Sequence, residues 1–283
     1  MKKAVLLTLA VFLAVISFAQ DAAEKINQAN EALKAQDYAK AYALYDEAMS
    51  NLGDVQVDST INFNIGYAAY KSNNLEGAIK YFDKAIEVGA NVSKSYEYKA
   101  LMYNENKDYA KAEENFEKAI ETSEDGDTDA LVYNAAIAAY RANMLDKAAV
   151  LFGKSVDNGY KAETALYYKA VVLKKLDKDE AYKTTLKEGV EKFPTDSKIA
   201  SALANVYVSE GNELYKKGAA ILTAANKKIS DGSLKTTDDA YLAEVEKAKA
   251  EFRNAVEVLE KAQKLDASNE NVKKLMDACK AIL

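Results

Sequence analysis

The sequence predicts an all-α protein: an α-solenoid of stacked helix-turn-helix repeats wound into a right-handed superhelix. A long helical hairpin protrudes from the last repeat, and a final helix caps the end. Three observations predict this. A chain of 283 residues with one proline and 11 glycines is too poor in turn formers for a many-stranded β-sandwich. Small and aromatic residues recur at a period of 34 to 37 residues. Each period has room for two amphipathic helices, which cannot bury their apolar faces alone and must stack.

The chain begins with an address. Met1-Lys2-Lys3 is a short positive start, Ala4 to Ile16 is almost wholly apolar, and Ser17-Phe18-Ala19 places small residues at the −3 and −1 positions before Gln20. That order matches a secretory signal peptide over residues 1–19, cleaved near Ala19 and Gln20. Its apolar run falls short of the roughly 20 residues that span a bilayer. Cleavage removes Lys2 and Lys3 and moves the net charge from −6 to −8. An acidic surface argues against nucleic acid and against anionic lipid, both of which reward Lys and Arg patches. The expected location is periplasmic or secreted, with no membrane insertion after cleavage.

Four segments then carry one signal: Asp37-Tyr38-Ala39-Lys40-Ala41, Asn74-Leu75-Glu76-Gly77-Ala78, Asp108-Tyr109-Ala110-Lys111-Ala112 and Met144-Leu145-Asp146-Lys147-Ala148. Four residues after each closing alanine stands an aromatic (Tyr45, Phe82, Phe116, Phe152), and three further on a small residue (Ala48, Ala85, Ala119, Ser155). Twelve residues before each alanine is another small one: Ala29, Gly66, Ala100, Ala136. A fifth copy keeps phase with Ala170, Leu186, Gly189 and Pro194, although Tyr182 replaces its alanine. A sixth opens with Leu203-Ala204, Tyr207 and Gly211. Small residues let the two helices of a copy cross closely, and the aromatic fills the wedge to the next copy.

The resulting repeats are 22–55, 59–92, 93–126, 129–162, 163–196 and 197–268. The sixth is split, because its second half returns late as Ala255, Leu259 and Ala262. Between lie two helical patterns, Leu214, Ile221, Leu222 and Ala225 outgoing and Leu242, Val245, Ala248 and Phe252 returning, around the polar turn Ser230-Asp231-Gly232-Ser233. They predict an inserted pair of antiparallel helices over about 212–252, joined by about 230–238. Residues 269–283 make the capping helix, whose stripe Val272, Leu275, Met276, Cys279 and Leu283 includes the one cysteine as a buried hydrophobe.

This pattern of small residues, an aromatic and a closing proline resembles the tetratricopeptide repeat family over roughly Ala22 to Leu265. It departs from the family at the tryptophan position, empty throughout, and only Pro194 retains the helix-ending proline. The resemblance implies an interaction scaffold whose first helices line a concave groove. Positions 2, 5, 9, 12 and 13 of those helices point inward, by the resemblance and by helical spacing. They give Phe63, Tyr67, Tyr70 and Lys71 from the second copy. The fourth gives Tyr133, Tyr140 and Arg141, and the fifth Tyr167, Lys174 and Lys175. Aromatics interleaved with cations suit an extended peptide or acidic tail. The alternative is that several of these tyrosines pack between adjacent first helices. Some family members clamp a C-terminal carboxylate. Asn30, Asn64 and Lys94 stand at three of the matching places, but Ile26 and Tyr98 occupy two that call for cations.

Other chemistry finds little footing. A chain with no histidine and one cysteine has no histidine-dependent triad, no histidine-ligated zinc and no internal disulfide. Asp125, Asp127 and Asp129 suggest a calcium loop, but Ala130 and Ala136 stand where the sixth-position glycine and twelfth-position glutamate belong. The segment reads instead as a turn with an Asp N-cap on the following helix. The pair Glu113-Glu114 reads as a solvated helix face. The expectation is therefore a non-catalytic scaffold, needing no cofactor or metal, that binds a protein or peptide partner in the bacterial envelope. The alternative is a periplasmic small-ligand or glycan-binding protein using the same groove.

Overall fold

The computed structural model describes residues 20–52, 56–124 and 126–283. The expected export signal lies outside them, as does Asp125. Among the described residues there are thirteen helices and no strand. The first, α1, spans 20–34. It is followed by α2 (Tyr38–Ser50), α3 (Ile61–Lys71), α4 (Leu75–Glu87), α5 (Val92–Glu105), α6 (Tyr109–Glu121), α7 (Asp129–Arg141) and α8 (Leu145–Asp157). Then come α9 (Ala162–Lys175), α10 (Asp179–Lys192), α11 (Ser197–Ser230), α12 (Asp239–Leu265) and α13 (Glu270–Lys280). The chain divides into two compact units, one ending at Tyr160 and the other spanning Lys161–Leu283.

In the first unit each helix packs on the next in sequence, and α3 also touches α5. The motif residues occupy the places their sizes require. Ala29, Ala41, Ala48, Ala78, Ala85, Ala100, Ala112, Ala119, Ala136 and Ala148 are wholly buried, as are Tyr45, Phe82 and Phe152. Gly66 shows why small residues are needed: a Cβ there would lie 2.7 Å from Cδ1 of Phe82. Asp37, Asn74 and Asp108 are N-caps whose side chains accept from the backbone N–H three residues on. The turn before each second helix repeats too, with a left-handed residue at Gln36, Asn73, Lys107, Asn143 and Asp177. At the start of α7 the cap residue is Thr128, whose side chain makes no capping bond, rather than an aspartate. Asp129 is already the first helical residue, and its Oδ1 accepts from Nδ2 of Asn158 at 2.6 Å.

In the second unit α9 packs on α10, α10 on α11, α11 on α12, and α13 against both long helices. Gly189 keeps α10 close to its neighbours, since a Cβ would meet Leu166 at 2.6 Å and Ile199 at 2.7 Å. The helices α11 and α12 have 34 and 27 residues, against 11 to 14 for α2 to α10. The expected insertion is thus a lengthening of both helices of the last pair, without a break between core and extension. They are antiparallel, and their seam is small. Ala204, Gly211, Gly218 and Ala225 are buried at heptad spacing and face Ala248, Phe252, Ala255, Leu259 and Ala262. The leucines and isoleucine expected to form the outgoing seam flank it half-buried. On α13 Val272, Met276 and Cys279 are buried, whereas Leu283 is exposed. Burial also raises the pKa of the Cys279 thiol.

Candidate functional site

In the first unit the site residues of α3 are drawn into one aromatic cluster. The ring of Tyr67 meets Tyr38, at the start of α2, edge-on at 5.8 Å, and Tyr98 of α5 at 5.3 Å. Phe63 lies 6.5 Å from Tyr67 and 5.9 Å from Tyr98, and Tyr70 lies 5.5 Å from Tyr98. Beneath them Tyr98 stacks on buried Phe82 at 5.7 Å with the rings 7° from parallel. Tyr98 is thus the hub that joins α3, α4 and α5. All five outer rings are half-buried, giving a rigid aromatic surface with polar edges.

Charge frames this surface. The Lys71 ammonium sits 5.9 Å from the Tyr67 ring centre, within cation–π range. The Tyr70 hydroxyl donates to Oε1 of Glu105 at 2.8 Å. Burial, aided by that carboxylate, pushes the Tyr70 phenol up to about 12. Burial also raises Tyr98 and Tyr38. These hydroxyls therefore stay protonated at neutral pH and act as hydrogen-bond donors rather than as bases.

On α7 the three expected residues play different parts. Tyr133 is only 8 % exposed, with its ring against Phe152 at 6.2 Å and Tyr160 at 6.0 Å, so it packs. Tyr140 is half-buried. Arg141 reaches back to α5 and α6: its Nη1 donates to Oδ1 of Asn104 at 3.1 Å, and its guanidinium lies 5.5 Å from the Tyr109 ring. In the second unit Tyr167 meets Tyr168 edge-on at 5.9 Å. Lys174 pairs with Asp179 at 2.6 Å and approaches the Tyr182 ring, while Lys175 is exposed. Two of the carboxylate-clamp positions are engaged otherwise, since Oδ1 of Asn30 accepts the Tyr45 hydroxyl at 2.5 Å and Tyr98 belongs to the aromatic cluster.

Two cluster members were not among the expected groove aromatics. Tyr38 stands inside the repeat signal and was counted as part of it. Tyr98 was read only as a clamp place lacking its cation, and the packing of α3 on α5 brings it against Tyr67. Glu113 corrects an expectation in the other direction. It is only 2 % exposed, not a solvated face. Lys147 lies 3.0 Å from it and 2.9 Å from Glu117, bridging both carboxylates. Burial raises the Glu113 carboxyl above the usual carboxylate range, although Lys147 opposes that shift.

Among the described residues no group of three or more acidic or cysteine side chains could hold a metal ion, and no helix is long and apolar enough to cross a membrane. A family model for the tetratricopeptide repeat matches residues 26–93 and, overlapping them, 63–130. Over residues 26–130 the chain carries tetratricopeptide repeats. The later repeats lie outside those matches and are carried by their phase and helix pairing.

The chain is similar to solved structures of tetratricopeptide repeat proteins. YrrB, a TPR protein with an unusual peptide-binding site, superposes with a TM-score of 0.50 at 18% identity, over 66% of this chain and 94% of its own. A TPR repeats protein from Bacteroides fragilis gives 0.37 at 23% identity, over 93% of this chain and 99% of that one. A tetratricopeptide repeat protein from Parabacteroides merdae gives 0.48 at 16%, over 92% and 99%. No curated protein matches the chain.

Proposed function

We propose that the protein is a non-catalytic interaction scaffold, exported to the bacterial envelope, that holds a peptide or protein partner against the aromatic surface of α3 and α5. One observation carries this reading: Tyr38, Phe63, Tyr67, Tyr70 and Tyr98 form a contiguous half-buried surface with the Lys71 ammonium at its side. Such a surface offers large contact area at low entropic cost, because tyrosine has few rotamers and these rings are already fixed by one another. Lys71 favours a partner carrying acidic residues. The tyrosines on α3 lie in the matched repeats, and the peptide-binding site of YrrB supplies an analogy at the level of fold. Export rests on the sequence of residues 1–19.

The test is affinity capture from envelope extract with the mature chain and with a Tyr67→Ala/Tyr70→Ala/Tyr140→Ala variant, both checked by circular dichroism. The expected outcome is a partner retained by the first and lost by the second at equal helicity. Recovery of the same proteins by both would sink the groove reading. N-terminal sequencing of the protein from intact cells is expected to begin at Gln20; a chain still carrying Met1 would remove the export part.

A further inference from the structure

The second unit contains a cleft that the scaffold reading does not use. It is an open groove between α11 and α13 with a volume of about 490 Å³, within the range of sites that hold small ligands. On α11, Asn205 and Asn212 stand two turns apart on one face, with Val208 between them and Tyr215 beyond. On α13, Asn271, Lys274 and Leu275 face them across the gap. Asn212 is half-buried and Asn271 exposed, so both carboxamides, each a donor and an acceptor, are open to a ligand. No carboxylate lines the cleft, in a chain of net charge −6. Lys274 is paired only loosely with Glu270, at 3.4 Å with both side chains more than 70 % exposed, so its cation is available.

We propose that this cleft binds an acidic saccharide: the Asn212 and Asn271 carboxamides pair with its hydroxyls, and Lys274 takes a uronate carboxylate. A hydroxyl both donates and accepts, and a carboxamide answers both through one planar group. The amides come from two helices on either side of the cleft, whereas an extended peptide would need a row of them along one track. Val208, Leu275 and the Tyr215 ring, itself held edge-on against buried Phe252 at 5.4 Å, give an apolar floor for the C–H face of a sugar ring. The carboxylate nearest to Lys274 is that of Glu270, 3.4 Å from its Nζ and not part of the cleft lining, so a uronate would compete with it for the ammonium. The assignment stands apart from the aromatic surface of the first unit.

The mature protein should be titrated by calorimetry with digalacturonate and diglucuronate, and with galactobiose and cellobiose as neutral counterparts. At least one uronate is expected to bind, and more tightly than its neutral counterpart. Asn212→Ala/Asn271→Ala should weaken it by about tenfold or more, as the loss of two hydrogen bonds implies. Lys274→Met should abolish the preference for the acidic sugar while leaving the thermal transition in place, because Lys274 is exposed. Tyr67→Ala should leave sugar binding unchanged, which separates this site from the partner surface. Failure of both uronates to bind, or binding indifferent to both cleft variants, overturns the proposal. So does an acidic peptide that binds through these same side chains in place of the sugars, which would assign the cleft to a polypeptide.

Discussion

Gly66→Ala adds a single methyl group to α3, yet should cost the fold more than its size suggests. The new Cβ would sit 2.7 Å from Cδ1 and 2.9 Å from Cε1 of Phe82. Phe82 has nowhere to retreat. It is fully buried, stacked on Tyr98 at 5.7 Å and tilted against Phe63 at 5.9 Å. Overpacking of this kind costs about 1–3 kcal/mol, and replacing a helical glycine returns at most about 1 kcal/mol, so a net loss of about 1–2 kcal/mol is expected. Gly77→Ala is the matched comparison. Its Cβ would fall as close, 2.6 Å from Oη and 2.8 Å from Cζ of Tyr42, but that ring is half-buried where Phe82 is fully buried, and so has more room to shift. That variant should cost less than Gly66→Ala. Urea unfolding followed by far-UV circular dichroism reads both, with the shift in midpoint taken at constant slope. An unchanged midpoint for Gly66→Ala, or an equal loss for Gly77→Ala, would refute the view that the Phe82–Tyr98 stack is locked.

The buried charge cluster and the Tyr81–Asp46 bond provide two further tests. Lys147→Met leaves Glu113 buried without its cation and should cost about 3 kcal/mol, measured by the same urea unfolding. Glu113→Gln should cost far less. The raised pKa of Glu113 means its ionisation opposes folding at neutral pH, and that cost is relieved as pH falls through the raised value. The parent should therefore gain stability relative to Glu113→Gln on mild acidification, and parallel pH profiles would count against this account. Tyr81→Phe removes the hydroxyl that donates to Oδ1 of Asp46 at 2.7 Å and should cost about 1 kcal/mol at pH 7, discounted for the solvent at Asp46. That hydroxyl, together with Lys80, holds Asp46 below the usual carboxylate range. The contribution is present above the unfolded pKa and is lost as pH falls through the folded one. Parent and variant should thus converge in strong acid; a constant gap down to low pH would show that the bond does not depend on the Asp46 charge.

Much of the fold was legible because the repeat signal is local chemistry. A small residue at a helix crossing and an aromatic four residues on serve the same purpose in every copy, so phase alone located Ala41, Phe82, Ala112 and Phe152 in the core. The long last pair was legible for the same reason, as a delay in phase. Its seam was legible in all but one place: Gly218 carries no hydropathy signal, and only the close approach of Phe252 and the Ala248 backbone on α12 explains it. Helical spacing brought Phe63, Tyr67, Tyr70 and Lys71 to one region, because positions on a single helix are fixed by a 3.6-residue turn.

What spacing along one helix could not decide is what a neighbouring helix brings. Tyr98 became the centre of the aromatic surface through the packing of α3 on α5, and Tyr133 was taken into the core by Phe152 and Tyr160. Glu113 was buried by Lys147 arriving from α8, and the α11–α13 cleft exists only because the last helix folds back against the lengthened one. By itself the sequence determined the helices, their pairing and their phase, since these follow from side-chain size and periodicity within a few turns. Which polar and aromatic side chains meet across helices was decided by the tertiary structure, because contact, burial and the pKa shifts they cause depend on distances between separate helices.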